Sequence, residues 1–361
     1  MLPNFARRFS TRINVRFHQD VPKYNFKEEV VTILGYGSQG RSQSLNMRDQ
    51  QYDISLGLRK DGKSWNKAIK DGWAPTKNLF PIDEAVKKAS LVHNLLSDTA
   101  QIDTWPIVKE NMNPFSSLSF SHGLGIVYGE QTGMVPPESC DVFLVAPKGV
   151  GPTVRSHFLN GKWINASWAV HQDSSGVANQ RCNGLANAIG CGHIFETTFE
   201  KETFSDLTGE RCVLMGLIQG AFKAQFEVLR ENGHSPEEAF NETVEEALES
   251  LYPMVSEKGM DHLYSNCSMV AQRGALDWAP RFEAVLKPVI KECYDKVKDG
   301  SEMKRVLEMR NDPDYRKVLN KELEHMDDSE LWKTGKKVRE QRSKDKVIKR
   351  VYPINDPIFL L

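Results

Sequence analysis

The sequence predicts an α/β protein: a doubly wound sheet domain followed by a region that is all helix. Three observations carry this. Val30-Val31-Thr32-Ile33-Leu34 is a β-branched run that enters Gly35-Tyr36-Gly37-Ser38-Gln39-Gly40 directly. Strand and helix signals then alternate as far as about residue 200. From about Thr203 onward the strand signal stops and long helical periods take over.

The first run is short and continuously apolar, as expected of a strand buried on both faces. A helical stretch, Arg41 to Asp49, follows the glycines, and Tyr52 to Arg59 alternates Ile54, Leu56 and Leu58 as a second strand. A GxGxxG motif between a strand and a helix is a dinucleotide fingerprint of the Rossmann type. Gly35 allows the tight turn, Gly37 lets the backbone approach a pyrophosphate, and Gly40 lets helix and strand pack closely. Tyr36, Ser38 and Gln39 complete the loop, and the anion sits on the helix N-terminus. Further strands are expected at Leu91–Leu96, Leu118–Ser121, Val142–Ala146, Asn165–Val170 and near His193–Thr197.

The end of the second strand chooses the cofactor. A site for NAD usually carries an acid there, for the ribose 2′-hydroxyl. Here the strand ends Leu58-Arg59-Lys60, and the first acid is Asp61 beyond them. Arg59, Lys60 and Ser64 suit a 2′-phosphate, which predicts NADP; the competing reading is a solvated charge pair. Two other strand ends carry reactive groups, His122-Gly123 and Pro147-Lys148-Gly149, both at the edge where such sheets bind ligands.

The helical half holds paired carboxylates. Asp206 and Glu210 stand at i and i+4, as do Glu242 and Glu246. Residues four apart share a helix face, where like charges repel unless a cation lies between them. Two such faces would offer four hard oxygens, suited to one or two Mg²⁺. The plainer alternative is a solvated acidic face, since Glu237, Glu238, Glu245 and Glu249 lie in the same stretch.

Composition bounds the remaining choices. A chain of 361 residues has room for about two domains of ~150 residues. Lys plus Arg is 47 and Asp plus Glu is 48, which argues against a strongly basic nucleic-acid binder. No run of 18 apolar residues predicts a membrane span. Cys140, Cys182, Cys191, Cys212, Cys267 and Cys293 form no CxxC pair and read as free thiols in a reducing compartment.

Residues 1–19 contain Arg7, Arg8, Arg12 and Arg16 and no acid, with Phe5, Phe9, Ile13 and Phe17 spaced by four. That is the composition of a transit peptide, mitochondrial or, as the second choice, plastid; the alternative is a basic arm kept on the mature chain. The expected organisation is therefore an arm at 1–22, a dinucleotide domain at 23–200, a helical domain at 201–340 and a basic tail at 341–361. The tail reads as a solvated arm, with weak anion binding as the minority reading.

Seven blocks resemble one family in order: GYGSQG at 35–40, GLRKDGKSW at 57–65, SHG at 121–123, VAPKGVGPTVRS at 145–156, ETTFEKETFSDLTGER at 196–211, ENGHSPEEAFNETVEEALESLYP at 231–253 and RGALDW at 273–278. The family is ketol-acid reductoisomerase, and its shorter, fungal-type mitochondrial form is the nearest likeness. The resemblance implies a knotted all-α second domain and an active site shared between chains of a homodimer or larger homo-oligomer. It implies two Mg²⁺, with Asp206 and Glu210 as ligands and Asp206 bridging both ions, while Glu242 and Glu246 complete the metal and substrate site from the partner chain. Lys148 and His122 would line the chamber, with Glu210 and Glu246 also in the catalytic set, and Ser268 would contact the substrate carboxylate. The implied reaction is alkyl migration and NADPH reduction of a 2-aceto-2-hydroxy acid in branched-chain amino-acid synthesis. The principal alternative is a metal-free 3-hydroxyacid-type dehydrogenase, which shares the Rossmann start but needs no carboxylate cage. A non-catalytic NADP-binding scaffold is the third.

Overall fold

The strands form because their β-branched and apolar residues are covered on both faces. In the structure, a computed structural model that describes residues 26–310 and 312–349, the strands β1 (Val31–Leu34), β2 (Ile54–Gly57), β4 (Leu91–Asn94) and β5 (Ser117–Phe120) are buried at every position. Between them run α1 (Ser38–Asp49), α2 (Lys63–Lys70), the two-residue β3 (Leu79–Phe80), α3 (Ile82–Lys88) and α4 (Asp98–Asn111). After β5 come the short α5 (Leu124–Val127) and α6 (Gly129–Thr132), then β6 (Asp141–Pro147), α7 (Gly151–Leu159), β7 (Ile164–Gln172), α8 (Ala178–Ile189) and β8 (Cys191–Glu196). The proposed transit segment and the last residues of the basic tail lie outside the described residues.

The strand order is β3-β2-β1-β4-β5-β6-β7-β8. Its first six strands follow the Rossmann order, with the topological switch between β1 and β4. Parallel pairing runs from β3 to β6; β7 is antiparallel to β6, and β8 is parallel to β7. The register places Leu34 beside Asn94, and Asn94 beside Phe120, so the loops after β1, β4 and β5 leave from one edge. Ile33, Leu56, Phe143, Val145 and Trp168 pack in one core cluster; Leu34, Val92, Leu118, Phe120 and Leu144 pack in the other.

The described chain divides into two compact units, the first ending at Asp206 and the second beginning at Leu207. No described residue after Glu196 is in a strand. The second part comprises α9 (Phe199–Arg211), which leads into it, then α10 (Gly216–Glu231), α11 (Pro236–Phe240), π-helical segments at Asn241–Glu245 and Ala247–Leu251, α12 (Tyr252–Lys258), α13 (Met260–Ser265), α14 (Met269–Lys298), α15 (Ser301–Arg310), α16 (Tyr315–Asp327) and α17 (Glu330–Lys349). Phe222, Phe226, Phe240, Val244 and Leu331 form its own core. One helical stretch, residues 199–231, is long and apolar enough by length and composition to cross a membrane. It breaks between Arg211 and Gly216, and Phe222 and Phe226 of its second half are buried in the helical core.

The basic stretch expected to be a solvated arm is helical through Lys349. Arg342 explains part of this: its guanidinium lies 3.1 Å from Glu245 and 2.7 Å from Glu249.

Candidate active site

The glycine loop shows which glycines the fold itself requires. Gly35 has φ +96, and a Cβ there would stand 2.7 Å from the Leu95 carbonyl oxygen. A Cβ on Gly40 would stand 2.2 Å from the Gly35 oxygen. At Gly37 a Cβ would meet nothing within 4 Å, so internal packing does not demand glycine there. Open space at that position is what close approach by a ligand requires. Helix α1 begins at Ser38, three residues earlier than expected, with Gly37 as its N-cap and no side-chain cap or first-turn acid. Its leading N–H groups are thus available to an anion. A dinucleotide pyrophosphate fits this loop.

Arg59, Lys60 and Ser64 are exposed beyond the end of β2, with Ser64 in the first turn of α2. The Gly62 N–H donates to the Arg59 carbonyl at 3.2 Å, and Asp61 takes φ 59, closing a tight turn that displays the two cations. Tyr36 is buried beneath the glycine loop. Its hydroxyl donates to Asp71 at 2.9 Å and accepts from Trp73 Nε1 at 2.9 Å. Burial and the Asp71 carboxylate push its pKa up, so it stays a neutral donor.

The loop after β6 docks on the glycine loop. Gln39 Nε2 donates to the Gly149 carbonyl at 2.8 Å, and the Gly151 N–H donates to Ser38 Oγ at 3.1 Å. Lys148, beside Gly149, donates through Nζ to Glu202 Oε1 at 3.2 Å. Glu202 Oε2 faces His122 Nδ1 at 3.2 Å and the Gly123 N–H at 3.4 Å, while Asp206 Oδ2 lies 3.3 Å from the same Nδ1. Donor atoms of His122, Glu202 and Asp206 lie within 4.8 Å of one another.

The charges follow from these distances. Burial opposes ionisation of Glu202, but His122 and Lys148 outweigh it and hold its pKa below the usual carboxylate range. Burial likewise opposes the His122 imidazolium, and Glu202 and Asp206 outweigh that too, raising its pKa. Asp206 moves the other way: burial raises its pKa, and nearby Glu202 adds to the rise. With Nδ1 facing two carboxylates, His122 carries its proton there, and Nε2 is buried without a protein partner.

Glu202 was not singled out from sequence. It stands one turn before Asp206 on α9, so the i, i+4 spacing that marked Asp206 and Glu210 could have been extended back to it. Glu242 and Glu246 are exposed in the second unit, and Glu242 lies on a π-helical segment rather than an ordinary α-helix. Among the described residues, the acids Arg342 pairs with are Glu245 and Glu249, not these two. Carboxylate oxygens are donors of the kind hard cations take; Asp206 and Glu210 stand one turn apart along α9, and of the two only Asp206 lies with His122 and Glu202. Ser268 is exposed and caps α14, accepting from the Ala271 N–H at 3.2 Å.

A Rossmann sheet whose glycine loop docks on the loop carrying Lys148, with His122 and Lys148 at strand ends facing the buried Glu202 of α9, has the architecture of a dinucleotide-dependent oxidoreductase. Comparison with known proteins makes this specific. Residues 25–194 match the family described as acetohydroxy acid isomeroreductase, NADPH-binding domain. Residues 199–344 match ketol-acid reductoisomerase, C-terminal domain. The chain belongs to the ketol-acid reductoisomerase family. It is 53% identical over 317 residues to the mitochondrial ketol-acid reductoisomerase of Saccharomyces cerevisiae, covering 88% of this chain and 80% of the relative. It is 51% identical over 324 residues to the ketol-acid reductoisomerase (NAD(+)) of Desulfosudis oleivorans, covering 90% and 92%. Among solved structures, an NADH-preferring ketol-acid reductoisomerase from an uncultured archean matches with TM-score 0.81 at 30% identity, covering 90% of this chain and 98% of that one.

Proposed function

We propose that the chain converts 2-acetolactate and 2-aceto-2-hydroxybutyrate to 2,3-dihydroxy-3-methylbutanoate and its 3-methylpentanoate homologue, by Mg²⁺-dependent alkyl migration followed by NADPH reduction. This is a step of valine, leucine and isoleucine biosynthesis. The carrying observation is the His122–Glu202–Lys148–Asp206 cluster on a chain whose two halves both match the family.

Two Mg²⁺ would supply Lewis-acid stabilisation of the oxyanions that form as the alkyl group moves. Asp206 and Glu210 would hold them from one chain; Glu242 and Glu246 would complete the site from a second copy. Glu202, kept ionised by its neighbours, orients Lys148 and His122. Lys148 offers an ammonium donor to a substrate oxygen. His122, with its proton held at Nδ1, has an Nε2 without a protein partner, which would be open to a substrate group. Ser268 would contact the substrate carboxylate. The glycine loop (Gly35, Tyr36, Gly37, Ser38, Gln39 and Gly40) would cradle the pyrophosphate.

Relatives named for NAD(+) and for NADH preference exist, so the second strand end decides the cofactor for this chain. Two exposed cations and a hydroxyl at Arg59, Lys60 and Ser64 favour the 2′-phosphate of NADPH. A homodimer or larger assembly is supported by α14, where Trp278, Phe282, Val285 and Val289 leave an apolar stripe 54–63% exposed. The arginine-rich N-terminus and the mitochondrial name of the yeast relative support the mitochondrial matrix.

The test is NADPH oxidation with 2-acetolactate in Mg²⁺ and then in excess chelator, repeated with NADH. Turnover that needs Mg²⁺ and prefers NADPH is expected. Reduction of a 2-keto acid that ignores the chelator would place the chain with metal-free hydroxyacid dehydrogenases instead.

A further inference from the structure

A polar chain with one allowed direction, buried at Gln43, His93 and Ser119, runs through the sheet unit. Gln39 donates through Nε2 to the carbonyl of Gly149 at 2.8 Å. A carbonyl only accepts, so Gln39 Oε1 faces the other way, where Gln43 Nε2 donates to it at 3.0 Å. The same Nε2 donates to Ser121 Oγ at 3.0 Å. Gln43 therefore presents Oε1 to His93 Nε2 at 2.8 Å, and that nitrogen carries the proton. Burial holds the His93 pKa down to about 3, so the ring keeps a single proton and Nδ1 accepts from the Ser119 hydroxyl at 2.8 Å.

His93 and Gln43 are 0% exposed. Covering a strand does not require an imidazole; an apolar residue does so without the desolvation penalty. The ring is tolerated because both nitrogens are satisfied, and what it satisfies leads to the site. Gln43 ties Gln39 of the glycine loop to Ser121 beside His122, and the Gln39 amide it holds donates to Gly149 beside Lys148.

We infer that His93 is a positioning residue: by fixing the orientation of the Gln43 amide, it sets the spacing of the nucleotide loop against the loops that carry His122 and Lys148. This rests on the reading that the glycine loop binds the dinucleotide. Without the ring, Gln43 Oε1 loses its donor, the amide is free to turn, and its two donor bonds to Gln39 and Ser121 are no longer enforced. Small displacements of this kind between a hydride donor and its acceptor reduce the rate of transfer more than they reduce binding.

The experiment uses the full enzyme as wild type, His93→Leu and His93→Gln. It reads NADPH affinity by fluorescence, kcat, the primary isotope effect with 4-deuterated NADPH, and Tm. The wild type should bind NADPH. His93→Leu should lose about tenfold in kcat and show a changed isotope effect, with NADPH affinity altered less than about threefold. His93→Gln, which keeps a donor for Gln43, should recover most of the loss. If His93→Leu does not fold, Gln43→Glu carries the same expectation, because it keeps the shape and the acceptor but deletes the donor. A lower Tm with wild-type kcat and isotope effect would overturn the proposal, as would equal losses in the leucine and glutamine variants. A wild type that binds no NADPH would overturn the dinucleotide reading itself, a failure visible before any variant is made.

Discussion

Glu202 and Glu242 are both glutamates on helical turns, and the structure treats them in opposite ways. Glu202 is 2% exposed, wedged between the Lys148 ammonium and the His122 ring. Glu242 is exposed on a π-helical segment, beside Glu245, whose charge Arg342 meets. The first carboxylate has its counter-charges built in, so its geometry is fixed before any ligand arrives. The second is exposed, and the cation nearest its stretch, Arg342, goes to Glu245 and Glu249 instead. Whatever fixes the geometry of Glu242 must therefore come from outside the pairs Arg342 makes.

The sharpest way to break this comparison is to neutralise acids of the two kinds assigned to metal. Asp206→Asn and Glu242→Gln should each reduce kcat by about a thousandfold, because each removes a ligand oxygen worth several kcal/mol in the transition state. Glu242→Gln should leave Tm unchanged, since its side chain is exposed. A Glu242→Gln enzyme that keeps most of its turnover would return the residue to a solvated face.

Next in size is Glu202→Gln, expected to lower kcat by about tenfold to a hundredfold, as is usual when a group that orients site residues is lost. The same variant should lower the pKa of His122. In the wild type Glu202 and Asp206 overcome burial and raise it; without the Glu202 charge, burial is opposed only by Asp206 and Asp98, so the pKa falls. Titration of the His122 ring by NMR measures this directly. A ring that titrates identically in both proteins would show that Glu202 does not set its charge.

How much of this was legible beforehand depended on length and period. β1, the glycine loop and most strands through β8 were readable: β1 and β6 leave continuous apolar runs, and β2 leaves an alternation. β3 was not, since two residues, Leu79 and Phe80, are too few to show a period. The reversal of β7 leaves no local mark, because a strand's direction belongs to its partner and not to its own residues. In the site, His122, Lys148 and Asp206 were found because strand ends and i, i+4 acids advertise themselves. Glu202 was missed because its partners lie 80 and 54 residues away in sequence. The pairing of Arg342 with Glu245 and Glu249 was hidden for the same reason.

His93 gives a smaller effect, on stability. In the folded chain its ring stays neutral down to about pH 3, whereas unfolded it protonates near 6.5. Between those values the unfolded state binds the extra proton, so folding stability is full above about pH 6.5 and is lost as pH falls toward 3. From pH 6.5 to pH 5 the loss should be about 2 kcal/mol. Denaturant melts of the wild type and His93→Leu at both pH values check it: the stability of the wild type relative to the variant should fall at the lower pH. A constant difference would mean the ring titrates as it does in the unfolded chain.

The smallest effect separates structure from chemistry at Ser268. As the cap of α14 its hydroxyl accepts from the Ala271 N–H, so Ser268→Ala should cost about 1 kcal/mol in stability and Ser268→Gly only a few tenths. Those two variants lose the same hydroxyl. If Ser268 also touches the substrate carboxylate, both should raise KM for 2-acetolactate equally while differing in Tm. If capping is its only role, KM should stay at the wild-type value in each, and Ser268 would join Arg342 among the residues that hold the helical unit together without touching the reaction.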